Sequence, residues 1–130
     1  MNEDLLVLVS QLAKEDFCYV TTKGRVTGNP HEIEIWFVTQ GASIYLLSGG
    51  GDQSDWVKNL LKDPNVTVRI ANSTFTGSAH LAKEKDQAED SPIRYLMAEK
   101  YQEWEDGRTL SEWARTALVV EIELKLLQNE

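Results

Sequence analysis

Thr21-Thr22-Lys23-Gly24-Arg25-Val26-Thr27-Gly28 brings hydroxyls, two cations and two glycines into one short stretch. Phosphate binding needs these parts: a forked cation, hydroxyl donors, and backbone N–H groups that glycine lets close to the ligand. Arg25 is the better bidentate donor of the two cations. On spacing alone the plain alternative stays open, a solvated turn whose glycines only supply positive φ. A second stretch, Ser48-Gly49-Gly50-Gly51-Asp52-Gln53-Ser54-Asp55-Trp56, is a glycine-rich loop running into a helix start. Such a loop offers free N–H groups to an anion or a carbonyl. It lacks the Lys-Ser/Thr ending of a nucleotide P-loop. Asp52 and Asp55 would repel a bare phosphate and suit the edge of a neutral heterocycle. A third set is aromatic: Trp36, Trp56, Tyr101, Trp104 and Trp113. Packing in a core or an interface is the ordinary use of tryptophan, and a flat ligand is the other.

Other combinations carry less. His31, Glu32 and Glu34 make no metal site, because adjacent strand residues point to opposite faces. His80 stands alone on its strand, so no metal centre is expected. No serine shows the nucleophile-elbow pattern. The single cysteine, Cys18, lies in the apolar run Phe17-Cys18-Tyr19-Val20 and reads as a packing thiol. With no protein-borne nucleophile or base, an enzyme built on this chain would leave the hard chemistry to a cofactor.

Charge narrows the partners. The 130 residues hold 21 acids against 13 bases, a formal net charge of −8. Nucleic acids and anionic membranes need a basic face, so neither is an expected partner. No apolar run is long enough to span a bilayer. The N-terminal stretch is acidic before its apolar residues, the opposite of a secretory signal. Together with the unpaired cysteine this gives a cytoplasmic expectation.

The elements that must position these residues follow from periodicity. Leu5, Leu8, Val9 and Leu12 recur at helical spacing, which predicts a helix over 3–14 with Asn2 as its cap. Phe17–Thr22 reads as a strand. His31–Thr39 alternates, with Ile33, Ile35 and Phe37 on one face, and reads as one half-buried strand. Gln40-Gly41 turns it into a strand over Ser43–Ser48. Ser54 would cap a helix ending near Leu61, before Asp63-Pro64-Asn65. Val66–Ile70 and Thr74–Lys83 are further strands, and residues 84–90 read as a solvated acidic loop. Ser91-Pro92 starts a helix to about Tyr101. Thr109-Leu110-Ser111-Glu112 has capping-box spacing. Val120, Ile122, Leu124 and Leu126 alternate with charges as a last strand. Six strands in hairpins with few intervening helices argue for a single mainly-β domain (α+β) over 1–130, closed to hide its edges, rather than a parallel sheet.

The run Thr22-x-Gly24-Arg25-x-Thr27-Gly28-x-Pro30-His31-Glu32-Ile33-Glu34-Ile35-Trp36-Phe37 resembles the deazaflavin-dependent nitroreductase family. So do Tyr45–Gly51, Ser54-Asp55-Trp56-Val57-x-Asn59-Leu60, Asp63-Pro64-x-Val66-Thr67-Val68, Lys100-Tyr101-Gln102-x-Trp104 and Leu110-Ser111-x-Trp113-Ala114-Arg115-Thr116-Ala117-Leu118. Together they cover most of residues 20–125. The resemblance implies a six-stranded antiparallel split β-barrel of the FMN-binding, pyridoxamine-phosphate-oxidase-like kind, usually a homodimer. It implies coenzyme F-420, a deazaflavin, with FMN as the alternative. The implied activity is hydride transfer to a nitro, quinone or enone-type small molecule. By the same resemblance Arg25, Thr27 and Gly28 would hold the coenzyme phosphate, and Ile33 and Ile35 would line the ring. Ser48, Gly49, Gly50 and Gly51 would meet the ring edge and linker, with Trp56 and Asn59 supporting the chain near the phosphate. Tyr101, Trp104 and Trp113 would shape the substrate side, with Tyr101 a hydrogen-bond or proton donor in catalysis. Related members suggest two alternatives: an FMN oxidoreductase, or a non-enzymatic carrier of a tetrapyrrole or lipid.

Overall fold

A computed structural model describes residues 3–127 of the chain, so the expected cap Asn2 lies outside the described residues. In chain order the elements are α1 (Glu3–Leu12), β1 (Cys18–Lys23), β2 (Pro30–Ile35), β3 (Val38–Gln40), β4 (Ser43–Ser48), α2 (Asp55–Lys62), β5 (Asn65–Ile70), β6 (Ser73–Leu81), α3 (Glu84–Gln87), α4 (Pro92–Gln102), α5 (Glu112–Thr116) and β7 (Leu118–Leu126). One antiparallel sheet runs in the order β2-β1-β5-β6-β7-β4-β3.

The expected strand over His31–Thr39 is two strands, so the sheet has seven strands rather than six. β2 and β3 are consecutive in the chain yet form opposite edges of the sheet. Only Trp36 and Phe37 join them. Three Cα steps reach at most about 11 Å, so the sheet must curl until its two edges nearly meet. The break falls where helix side chains replace strand partners. The Phe37 N–H donates to the Tyr101 hydroxyl at 3.0 Å, and the Phe37 carbonyl accepts from that hydroxyl at 3.0 Å and from Lys100 Nζ at 2.9 Å. The backbone groups of Phe37 are thus satisfied without a ladder, which is what lets the strand end there.

Two apolar layers hold the barrel. Inside, Val20, Phe37, Leu46, Val68, Phe75 and Ile122 are buried, and α1 and α2 add Val9, Val57 and Leu60. Outside, α4 and α5 cover one end of the sheet, packing Ile93, Met97 and Ala117 against Val38, Leu47 and Val119. β4 is therefore buried on both faces, which explains its unbroken apolar run. At Gly77 on β6 a Cβ would lie 2.5 Å from Ile122 Cγ2, so the packing of that side chain of β7 over β6 favours glycine there.

Residues 84–90 are not simply a solvated loop. α3 forms there, Asp86 is buried, and Gln87 zips onto β7. Its Nε2 donates to the carbonyl of Val119 at 2.7 Å, and its Oε1 accepts from the Val119 N–H at 2.9 Å. The expected caps also shift. Ser111, not Thr109, caps α5 by accepting from the Ala114 N–H at 3.1 Å. Neither Ser54 nor Ser91 accepts a capping bond from its helix.

Candidate functional site

The turn after β1 is closed by its own backbone. The Gly24 N–H donates to Asn29 O at 2.7 Å and the Gly28 N–H to Gly24 O at 2.9 Å. Gly28 sits at φ +82°, which favours glycine. Thr27 Oγ1 accepts from the Asn29 N–H at 3.1 Å. From this turn Arg25 reaches across to α2. Its backbone N–H and its Nη1 both donate to Asn59 Oδ1, at 3.2 and 2.9 Å, and its Nη2 pairs with Asp55 Oδ1 at 3.1 Å. Asn59 is 2% exposed, and its Nδ2 donates to Thr22 Oγ1 at 3.1 Å. A buried amide thus joins β1, the turn and α2, and sets where the guanidinium stands.

The glycine loop is fastened to the same end of the same helix. Ser48 Oγ donates to Gly51 O at 2.8 Å and lies 2.9 Å from Ser54 Oγ. Ser54 immediately precedes Asp55, the residue that holds Arg25. The two turns are therefore neighbours at the N-terminal end of α2. On its other side the loop abuts an aromatic group: a Cβ on Gly49 would lie 3.4 Å from Trp113 Cδ1.

Trp113 meets Trp36 edge-on, with centroids 5.6 Å apart, and Trp36 stacks on Tyr101 at 4.3 Å and 3°. Trp36 is thus half-buried between these two rings. Phe17, Glu34, Ile35, Trp36, Leu47 and Trp113 line a cleft of about 340 Å³ at the seam between the two sheet edges. Ile33 and Trp56 are half-buried against the interior core instead. Trp104 is apart from this group. It packs edge-on against Tyr95 at 4.9 Å, and its Nε1 donates to Arg108 O at 2.7 Å.

The Tyr101 hydroxyl is fully engaged. It accepts from the Phe37 N–H, and its single proton is shared between Phe37 O and Asp16 O, the latter at 2.8 Å, tying the turn after α1 to the seam. Burial pushes it up to about 12, against the lowering effect of the Phe37 hydrogen bond. At neutral pH its proton points at backbone carbonyls.

Two residues escaped the sequence reading. Arg94 is 3% exposed and has no ion-pair partner among the described residues. Its guanidinium donates to four carbonyls: Ala88 at 2.9 Å, Ala114 at 3.2 Å, Ala117 at 2.7 Å and Gln87 at 2.7 Å. Burial lowers its pKa, with Glu89 opposing. It locks α3, α5 and the start of β7 in place, beside a cavity of about 420 Å³ that also touches Ser48, Gly49, Gly51 and Thr116. The available signal was its spacing: Arg94 and Ala98 repeat beside Ile93 and Met97 on the apolar face of α4. Lys100 lies over the Phe37 ring at 4.0 Å, and burial lowers its pKa. A separate groove of about 410 Å³ on the polar outer face includes Thr21, Lys23, Thr67, Thr76 and Lys125; of the expected coenzyme contacts only Gly28 lines it.

A profile of the family described as F420H(2)-dependent quinone reductase matches residues 3–114. The chain belongs to that family. Its cofactor is coenzyme F-420, with FMN the less favoured alternative, and it is an oxidoreductase. Solved structures agree on the fold. An F420 reductase superposes with a TM-score of 0.59 at 10% identity, covering 89% of this chain and 92% of that one. A 5-nitroimidazole antibiotic resistance-like protein from Bacteroides thetaiotaomicron gives 0.69 at 14% identity, covering 95% and 80%. A pyridoxamine 5'-phosphate oxidase-like protein from Listeria innocua gives 0.63 at 18% identity, covering 95% and 92%. The curled seven-stranded sheet is the split barrel of these proteins.

The residues present fit such a coenzyme. An aromatic-walled cleft suits a flat ring, a glycine loop packed against Trp113 lets backbone approach it, and a guanidinium suits an anionic tail. Arg25 already carries an ion pair, but Asp55 is 86% exposed. An exposed pair is worth about 0–1 kcal/mol, so exchanging it for a phosphate costs little.

Proposed function

We propose that this F-420-dependent oxidoreductase reduces a flat, electron-poor small molecule of the quinone, nitro or enone class. The bound deazaflavin supplies the hydride, and the chain supplies grip, orientation and exclusion of water. In this reading Arg25, held by Asn59, takes the phosphate with Thr27 and Gly28, while Ser48 and Gly49–Gly51 face the ring edge and linker. Ile35, Trp36 and Trp113 form the wall against which coenzyme and substrate stack. Tyr101 contributes its ring to that wall and its hydroxyl to the seam. Trp56 and Ile33 support from the core side, and Trp104 stands outside the group. A homodimer in the cytoplasm belongs to the same reading on family resemblance.

The observation that carries the proposal is the shared anchorage of both turns at one end of α2, with Trp113 against Gly49. Titrating the protein with F-420 and following the coenzyme's fluorescence tests the grip. Saturable binding at micromolar protein is expected, followed by oxidation of reduced F-420 with at least one of a quinone, a nitroaromatic or a cyclic enone. No saturable binding would overturn the site. Binding without turnover across the panel would overturn the substrate class.

A further inference from the structure

The sheet pairing brings His80 of β6 beside two glutamates of β7 that lie more than forty positions away in sequence. Glu121 and Glu123 project from the same face of β7, and register places His80 of β6 directly opposite Glu121. One ligand atom from each of His80, Glu121 and Glu123 lies within 4.8 Å of the other two. This face is the outside of the barrel, where the layer under α4 and α5 ends. Glu121 is 8% exposed there, and among the described residues neither glutamate is ion-paired with a lysine or arginine.

We propose that His80, Glu121 and Glu123 bind a divalent transition ion of the zinc class, with a fourth position left to solvent.

Three groups outside the triad orient it, one of them the Tyr45 hydroxyl, which is hydrogen-bonded to the Glu121 side chain. His80 Nδ1 lies 3.0 Å from the carbonyl of Leu81, which can only accept, so Nδ1 carries the proton and Nε2 faces the carboxylates. Ser43 Oγ on β4 donates to Glu121 Oε2 at 2.8 Å. Bonds of this kind fix the tautomer and angle of metal ligands. The separation of His80 from Glu123 is longer than a direct charge-assisted bond. His80 Nε2 stands 3.6 Å from Glu123 Oε2. A charge-assisted N–H···O bond would be about 2.7–2.9 Å. Two ligands sharing a tetrahedral zinc at about 2.0–2.2 Å stand about 3.3–3.6 Å apart. Three protein ligands and an open position are the stoichiometry of reactive rather than purely structural zinc sites. The argument for this site uses none of the residues assigned to the coenzyme.

The test is calorimetric titration of chelator-stripped full-length protein with Zn(II) alone. One saturable site per chain is expected, weakened at least about tenfold by His80→Ala and by Glu123→Gln. Both side chains are substantially exposed, so these variants should fold; melting curves without metal verify that. His31→Ala, at the other histidine, should leave binding unchanged. Substituting Co(II) should give visible absorption of four- or five-coordination that His80→Ala abolishes. Absence of saturable binding overturns the proposal, and so does weakening of less than tenfold in either ligand variant.

Discussion

Replacing Asn59 by alanine probes whether a buried amide acts on the coenzyme through Arg25. The Asn59 carboxamide makes three bonds: two to Arg25 and one to Thr22. Arg25→Ala removes a charge-assisted contact to phosphate, worth about 1.5–3 kcal/mol, or roughly 10- to 150-fold in Kd. Asn59→Ala removes only the buried half of the arginine's support, since Asp55 still holds Nη2 at 3.1 Å. Its loss of affinity should be smaller, about 1 kcal/mol or roughly fivefold. Its cost to stability should be larger, about 1–3 kcal/mol, because the Arg25 N–H loses its partner in a part-buried position. The double variant decides the matter. If Asn59 acts through Arg25, the pair should bind F-420 no worse than Arg25→Ala alone, within about 0.5 kcal/mol. Fluorescence titration of all four proteins, below their melting temperatures, gives the cycle. Fully additive losses would refute the reasoning, as would an Arg25→Ala protein with unchanged Kd.

Two further outcomes follow from the seam and the core. Tyr101→Phe keeps the stack on Trp36 but strips the hydroxyl that serves Phe37 and Asp16; we expect a loss of about 1–3 kcal/mol in chemical denaturation with kcat within about threefold. A hundredfold fall in kcat at unchanged stability would instead make Tyr101 a proton donor. Burial pushes Cys18 up from 9.0 to about 12 and Tyr101 up from 10.0 to about 12, so both groups hold their protons longer in the folded chain than in the unfolded one. Their contribution to stability is complete below about pH 9 and drains away as pH rises toward 12. Denaturant midpoints across that range should fall, and Cys18 should resist alkylation at pH 8 until the chain is unfolded; a midpoint that rises with pH would contradict this burial.

Local pattern determined much of this protein. Alternation in Val120–Leu126, the helical repeat of Leu5–Leu12 and the turn chemistry of Asp63-Pro64 each depend on neighbours a few residues away, so they are legible in the chain itself. The candidate turns were legible for the same reason, because arginine, hydroxyls and glycines lie side by side. Tertiary structure decided the rest. Alternation continues through Trp36 and Phe37, and only the reach of Lys100 and Tyr101 from α4 ends the strand there and sends its halves to opposite sheet edges. Residues 84–90 look solvated until Gln87 finds the backbone of β7. Arg94 reads as an ordinary helical cation until four carbonyls close around it. His80 reads as solitary until register sets it against two glutamates more than forty positions away. Periodicity reports which face a residue occupies, but pairing between distant strands chooses what that face meets.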